Sequence, residues 1–196
     1  MARPRRNEHL REKLLDQGLK LFLDQGYHGT GIKEVVDQVK VPKGSFYNYF
    51  ESKEQFGAEV IRHYAKRVIA NMTIYLNGSE DNALIALSNF FEQEMQRHQE
   101  AKAGCIIGNL GAELGAQSKL CQQAMIEGFQ GMKQAFFKTL KRGQAQGSIR
   151  DDVSTEVLAD FLINAYEGAL LRMQIEQSVE PIGQLSKLLN GYLRCS

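Results

Sequence analysis

Residues 41–56 read VPKGSFYNYFESKEQF, with Phe46, Tyr47, Tyr49 and Phe50 inside five positions and Lys43, Gly44 and Ser45 just before them. Phe46 and Phe50 are four apart, so on a helix they share one face and point to a core. Lys43, Gly44, Ser45, Tyr47, Asn48 and Tyr49 are left facing outward or sideways. Exposed aromatics and an amide beside a lysine are unusual on a purely structural surface. They suit the DNA major groove, where a lysine donates to guanine acceptors and a tyrosine ring edge meets a thymine methyl. Gly44 and Ser45 let a helix N-terminus approach a duplex closely, and hydroxyls, backbone N–H groups and Lys53 can hold phosphates.

The flanking pattern supplies the scaffold. Apolar residues recur at helical spacing, no period-2 alternation persists, and prolines occur only at positions 4, 42 and 181, which predicts an all-α chain of about nine helices. Helix 1 is expected from Asn7 to Gln25 with Gly26 after its end, and helix 2 over 31–39 with Thr30 as N-cap. Pro42 falls in the first turn of helix 3, which ends near Phe50, and Ser52 with Gln55 forms a capping box for helix 4, running to about Leu76. Further helices are expected over 82–100, 104–115, 118–146, from Asp151 or Ser154 to Gln177, and from Pro181 nearly to the C-terminus. Helices 2 and 3 with their tight turn make a helix-turn-helix. The domains predicted are 1–56, a three-helix DNA-binding domain, and 57–196, a helical ligand-binding and dimerisation domain.

Charge agrees with that division. Residues 1–67 carry 13 Lys and Arg against 9 Asp and Glu, and the remainder 11 against 14. A basic front on an acidic body points to a polyanionic partner for the front alone. Three widely spaced cysteines and the absence of a long apolar run or signal peptide are expected of a cytoplasmic protein with reduced thiols. No nucleophile motif, carboxylate pair, cofactor loop or metal-spaced His/Cys set occurs, so neither catalysis nor a cofactor or metal is expected. A helical module that uses the same motif for a protein partner is the rival reading. The outward lysines argue against it.

With these residues in view, LLDQGLKLFLDQGYHGTGIKEV followed by VPKGSFYNYFESKEQF resembles the DNA-binding domain of TetR/AcrR-family transcriptional regulators. The resemblance covers about a quarter of the chain. It implies base contacts by Lys43, Gly44, Ser45, Tyr47 and Asn48, and phosphate contacts by Thr30, Lys33, Tyr49 and Lys53. It implies a repressor released from its operator by a small-molecule or electrophile inducer, with an activator as the alternative, acting on double-stranded DNA at a pseudo-palindromic operator read by a homodimer. Two departures stand out. Lys40 occupies a turn position that favours glycine, at a cost of roughly 1–2 kcal/mol. Gly31 stands where threonine is common, which removes one phosphate contact. Arg3, Arg5 and Arg6 are candidates for a minor-groove or phosphate contact.

In the body, the last two helices carry broad apolar stripes, including Val157, Phe161 and Leu162, then Leu185, Leu188, Leu189 and Tyr192. A twofold four-helix interface with Phe161 and Leu189 in it is the expected use of that surface. The segment AKAGCIIGNLGAELGAQ, 101–117, puts Gly104, Gly108, Gly111 and Gly115 on one stripe beside Cys105, Asn109 and Glu113. The glycines serve close helix packing or leave room for a ligand. GCIIGNLGAE also resembles the NemR-like branch of the family, electrophile-responsive repressors, with a cysteine matching Cys105. Cys105 is expected in the first turn of its helix with Lys102 near, which favours a thiolate, whereas Glu113 on the same strip and burial oppose it, so Cys105 is either a reactive sensor or a small packed residue. Candidate residues for binding or sensing a small-molecule inducer are Cys105, Asn109, Tyr64, Phe90, Phe129 and Tyr166.

Overall fold

The structure, a computed structural model, describes residues 4–77, 82–100 and 104–194. Among them are nine α-helices and no strand: α1 (Pro4–Gly29), α2 (Ile32–Val39), α3 (Lys43–Phe46), α4 (Lys53–Asn77), α5 (Ala83–Glu100), α6 (Ile106–Leu114), α7 (Lys119–Ala145), α8 (Thr155–Glu176) and α9 (Glu180–Tyr192). Two compact units result. The first comprises Met1–Tyr64 and Ile106–Gly128, the second Ala65–Cys105 and Phe129–Ser196. None of the described helices is long and apolar enough to cross a membrane.

The first unit is built on aromatic rings. Phe46, Phe50 and Phe56 lie with centroids 4.9–5.2 Å apart, and Phe22 adds to them at 6.0 Å from Phe56. Phe56 seats against α1 because residue 18 is glycine: a Cβ there would stand 2.4 Å from the Phe56 ring. The expected end of α1 is marked by Gly26, whose φ of 75° breaks the helix before a last turn over 27–29. Thr30 is not the N-cap of α2. Gly31 holds that position without a side-chain cap, because the Thr30 hydroxyl turns back and donates to Gly26 O at 2.8 Å.

Lys40 closes α2 in the left-handed region, φ 59° and ψ 47°, its N–H bonding back to α2 carbonyls. The expected strain at this non-glycine turn is therefore present. Helix α3 is shorter than the spacing predicts. Its regular part stops at Phe46 because the Tyr49 N–H takes the tighter bond to Phe46 O, at 3.0 Å, and the chain turns through 47–49. Helix α4 opens on the expected pair: Ser52 Oγ accepts from Gln55 N–H at 3.0 Å, and the Gln55 side chain accepts from Glu51 N–H at 2.6 Å.

The second unit has its own ring cluster of Phe90, Phe91, Phe136 and Tyr166, with neighbouring centroids 5.1–6.5 Å apart. Ser154 caps α8 by accepting from Val157 N–H. The apolar stripes of α8 and α9 divide. Leu158, Leu162, Leu170, Ile182, Leu185 and Leu189 are buried within the chain, whereas Val157, Phe161, Leu171, Ile175, Leu188 and Tyr192 are exposed. Leu189 thus belongs to the protomer's own core, and its neighbour Leu188 faces outward. Phe161 and Tyr192 touch on the exposed face, centroids 5.8 Å apart.

Candidate nucleic-acid interface and sensing segment

Around α3 the outward residues sort themselves by what lies beneath. Phe46 and Phe50 are 0% exposed and anchor the short helix, while Tyr47 is 51% exposed. Lys43, Gly44 and Asn48 are exposed, and Ser45 and Tyr49 are half-buried. A Cβ added at Gly44 or at Gly31 would meet nothing within 4 Å, so both glycines keep an open surface against which a flat partner can lie. Lys33 is exposed and pairs with Asp37 at 2.7 Å along α2, a contact that a phosphate can replace at little cost. Thr30 is 2% exposed with its hydroxyl engaged. Among the nine DNA-binding candidates it alone is fully buried.

Lys53 is half-buried. Its ammonium lies 4.3 Å from the centroid of the Tyr27 ring. Burial lowers its pKa, with the charge of Glu113 acting against that. The Tyr27 hydroxyl is itself pushed up to about 12 by burial and by the neighbouring Cys121 and Glu54. Arg3 falls outside the described residues, and Arg5 and Arg6 lie in the opening turns of α1.

This arrangement is a three-helix head with a lysine on its third helix and a tyrosine and an asparagine on the turn that follows. Residues 14–60 match the model of bacterial regulatory proteins of the tetR family, and residues 82–189 the tetracyclin repressor-like C-terminal domain. The chain belongs to the TetR family. It is a DNA-binding transcriptional regulator. It is 35% identical over 175 residues to the HTH-type transcriptional repressor DhaR of a Mycobacterium species, a match covering 89% of this chain and 87% of that one. The repressor NemR of Escherichia coli is 31% identical over 88% of this chain and 87% of its own length. The crystal structure of reduced E. coli NemR superposes with a TM-score of 0.89, covering 96% and 98% of the two chains at 27% identity.

The sensing candidates of this TetR-family chain do not form one cluster. Tyr64 and Asn109, both half-buried, belong to the first unit. Cys105, Phe90, Phe129 and Tyr166 belong to the second. Phe90 and Tyr166 are both fully buried, 5.5 Å apart in the ring cluster, and Phe129 is half-buried at the point where α7 enters the second unit. Cys105 immediately precedes α6 rather than lying in its first turn, and it is buried. Lys102 lies outside the described residues. A Cβ at Gly111 would meet nothing within 4 Å, so open space rather than close packing lies at that point of the glycine stripe.

Two polar features of the second unit went unread in the sequence. Glu94 is buried beneath the rings, where it accepts from the Tyr166 hydroxyl and from Arg97 at 2.5 Å, with His98 at 3.6 Å. Burial pushes its pKa up, but His98, Arg97 and Tyr166 outweigh that and hold it below the usual value. The i,i+3 and i,i+4 spacing of Glu94, Arg97 and His98 was the available signal. Glu167 is the second. One carboxylate oxygen is buried with no hydrogen-bond partner. Burial raises its pKa to about 7, against an opposing hydrogen bond with Cys105.

The Glu167 shift sets a direction for stability. Its folded value of about 7 lies above the ordinary 4.5, so the folded protein holds this proton more tightly than the unfolded chain does. The contribution is fully present below about pH 4.5 and is lost as pH rises through about 7, amounting to at most roughly 3 kcal/mol. Glu167→Gln should therefore gain thermal stability relative to the parent at pH 8 and none at pH 5. Equal differences between the two proteins at both pH values would contradict this assignment.

Proposed function

We propose that the protein is a homodimeric repressor that binds a pseudo-palindromic operator in the cytoplasm and releases it when a small molecule or electrophile reaches residues 57–196. The observation that carries the reading is the exposure of Lys43, Tyr47 and Asn48 on a short helix and the turn after it, while Phe46 and Phe50 beside them are wholly buried. In this reading Lys43, Gly44, Ser45, Tyr47 and Asn48 meet bases. Lys33, Tyr49 and Lys53 meet phosphates, and Thr30, its N–H and hydroxyl both engaged, holds in place the uncapped start of α2, whose backbone N–H groups face a phosphate. Family members bind operator DNA and act as dimers. The exposed apolar residues of α8 and α9 support a twofold contact there, which spaces two heads for successive major grooves.

For release, the reading places Cys105 at the centre, with Asn109, Tyr64, Phe90, Phe129 and Tyr166 as the surrounding candidates for a bound inducer. An unsaturated carbonyl compound would add to the thiol: a sulfur–carbon bond forms at the β-carbon, the carbon–carbon double bond opens, and the thiol proton ends on the α-carbon. Glu167, hydrogen-bonded to Cys105 and titrating near neutrality, is suited to carry that proton. The names of DhaR and NemR as repressors favour repression over activation.

Three measurements test these parts. In binding-site selection, Tyr47→Ala should relax preference at one position of each half-site by about 1–3 kcal/mol, whereas Lys53→Ala should weaken all sequences alike and lower the salt slope by about one. Uniform loss in both would refute the division between bases and phosphates. Replacing Phe161 and Leu188 together by Glu should give monomers in sedimentation, and an intact dimer would move the interface off this face. N-ethylmaleimide should release operator from the parent but not from Cys105→Ser. Equal release of both would remove Cys105 from the mechanism.

A further inference from the structure

Helix α6 belongs to the first unit, and one of its side chains reaches the segment that joins α1 to α2. Glu113 Oε2 accepts from the backbone N–H of Tyr27 at 3.1 Å and of His28 at 3.3 Å. These amides follow the break at Gly26, so they open a new turn and have no acceptor one turn back in α1. A carboxylate supplied from another helix does for them what an N-cap side chain does locally, with a charge that suits the positive end of a turn. The fit is close. A Cβ at Gly26 would stand 2.6 Å from Glu113 Oε1, at a φ of 75° that already favours glycine. Glycine at 26 and glutamate at 113 are thus matched across 87 positions of sequence.

The same carboxylate bears on Lys53. The Lys53 ammonium lies over the ring of Tyr27, the residue whose N–H Glu113 holds, and the charge of Glu113 acts on that ammonium. From Tyr27 the chain continues through Thr30, tied by its N–H to Tyr27 O at 3.2 Å and by its hydroxyl to Gly26 O, and enters α2 at Gly31. Two of the phosphate-contact candidates, Thr30 and Lys53, are thus connected through Tyr27 to one carboxylate of α6.

We propose that Glu113 is a positioning residue for DNA binding: its carboxylate caps the turn between α1 and α2 and sets Lys53, so α6 governs the phosphate contacts of the head without touching DNA. This rests on the DNA-binding reading given above. It adds a residue far from the recognition motif through which the chain running on from Cys105 reaches the head.

The test uses the full-length protein with its selected operator. Glu113→Ala should lose roughly five- to tenfold in operator affinity, the size of a lost cap, with unchanged base preference in each half-site. Hydrogen exchange at the Tyr27 and His28 amides should quicken by a similar factor. Glu113→Gln keeps an acceptor and loses the charge, so it should fall between parent and Glu113→Ala in both readouts. Parental affinity in both variants, despite faster exchange, would overturn the positioning role. So would an altered base preference, which would make Glu113 a support of α3 instead. If Glu113→Ala fails to fold, Glu113→Gln decides alone: a loss of about twofold or more with intact preference supports the proposal, and parental affinity overturns it. Failure of the parent to select any DNA sequence would sink the DNA-binding reading itself, which is a separate result.

Discussion

A helix of four residues cannot hold its own shape in water, because its nucleus costs more than its few hydrogen bonds return. Helix α3 exists because Phe46 and Phe50 are driven under it against Phe56. Burying three such rings contributes on the order of 2 kcal/mol each, enough to fix a segment with no stability of its own. The consequence for function is direct. With the inward face committed to phenylalanine, the outward positions are free to carry Lys43, Tyr47 and Asn48, which are exposed. Arg11 reinforces the arrangement, its guanidinium 5.6 Å from the Phe50 ring centroid and bonded to Glu59 at 2.7 Å.

Such a division of labour is why the reading head was legible in the sequence. Four-residue spacing separates Phe46 and Phe50 from their neighbours without any tertiary knowledge, and Pro42, Gly26 and the Ser52–Gln55 pair mark element ends through local chemistry alone. The nine helices followed from the same local signals. What local signals could not decide was competition for a single group. Thr30 has the right chemistry for an N-cap, but its hydroxyl finds the carbonyl of Gly26 first, and Gly31 takes the cap position. Leu188 and Leu189 are equally apolar. Only packing against other helices shows that one is core and the other surface.

Long-range polar contacts were the least legible part. Nothing near Glu113 in sequence indicates that it faces Tyr27 and His28, and nothing near Cys105 indicates Glu167. Both arise where segments distant in sequence bring a carboxylate against a backbone or thiol group. The two cases resolve differently. Glu113 meets backbone donors and stays a capping anion. Glu167 meets a thiol and is desolvated by burial, so its pKa rises to about 7 and it titrates around physiological pH. Glu94 is a third solution: equally buried, it keeps its charge because Arg97, His98 and Tyr166 surround it.

The placement of α6 ties these threads together. Cys105 ends one stretch of the second unit, and the next residue, Ile106, begins a helix assigned to the first. A chemical change at Cys105 is therefore one peptide bond from an element that caps the DNA-binding head. Within the first unit, Ile106, Ile107, Leu110 and Leu114 are all buried and fix α6 along its length. A helix anchored in that way moves as a body or not at all. Cys121 lacks this connection. It is fully buried in the first unit, its thiol directed to Glu54 O at 3.7 Å and its pKa raised by burial, a setting for packing rather than for chemistry.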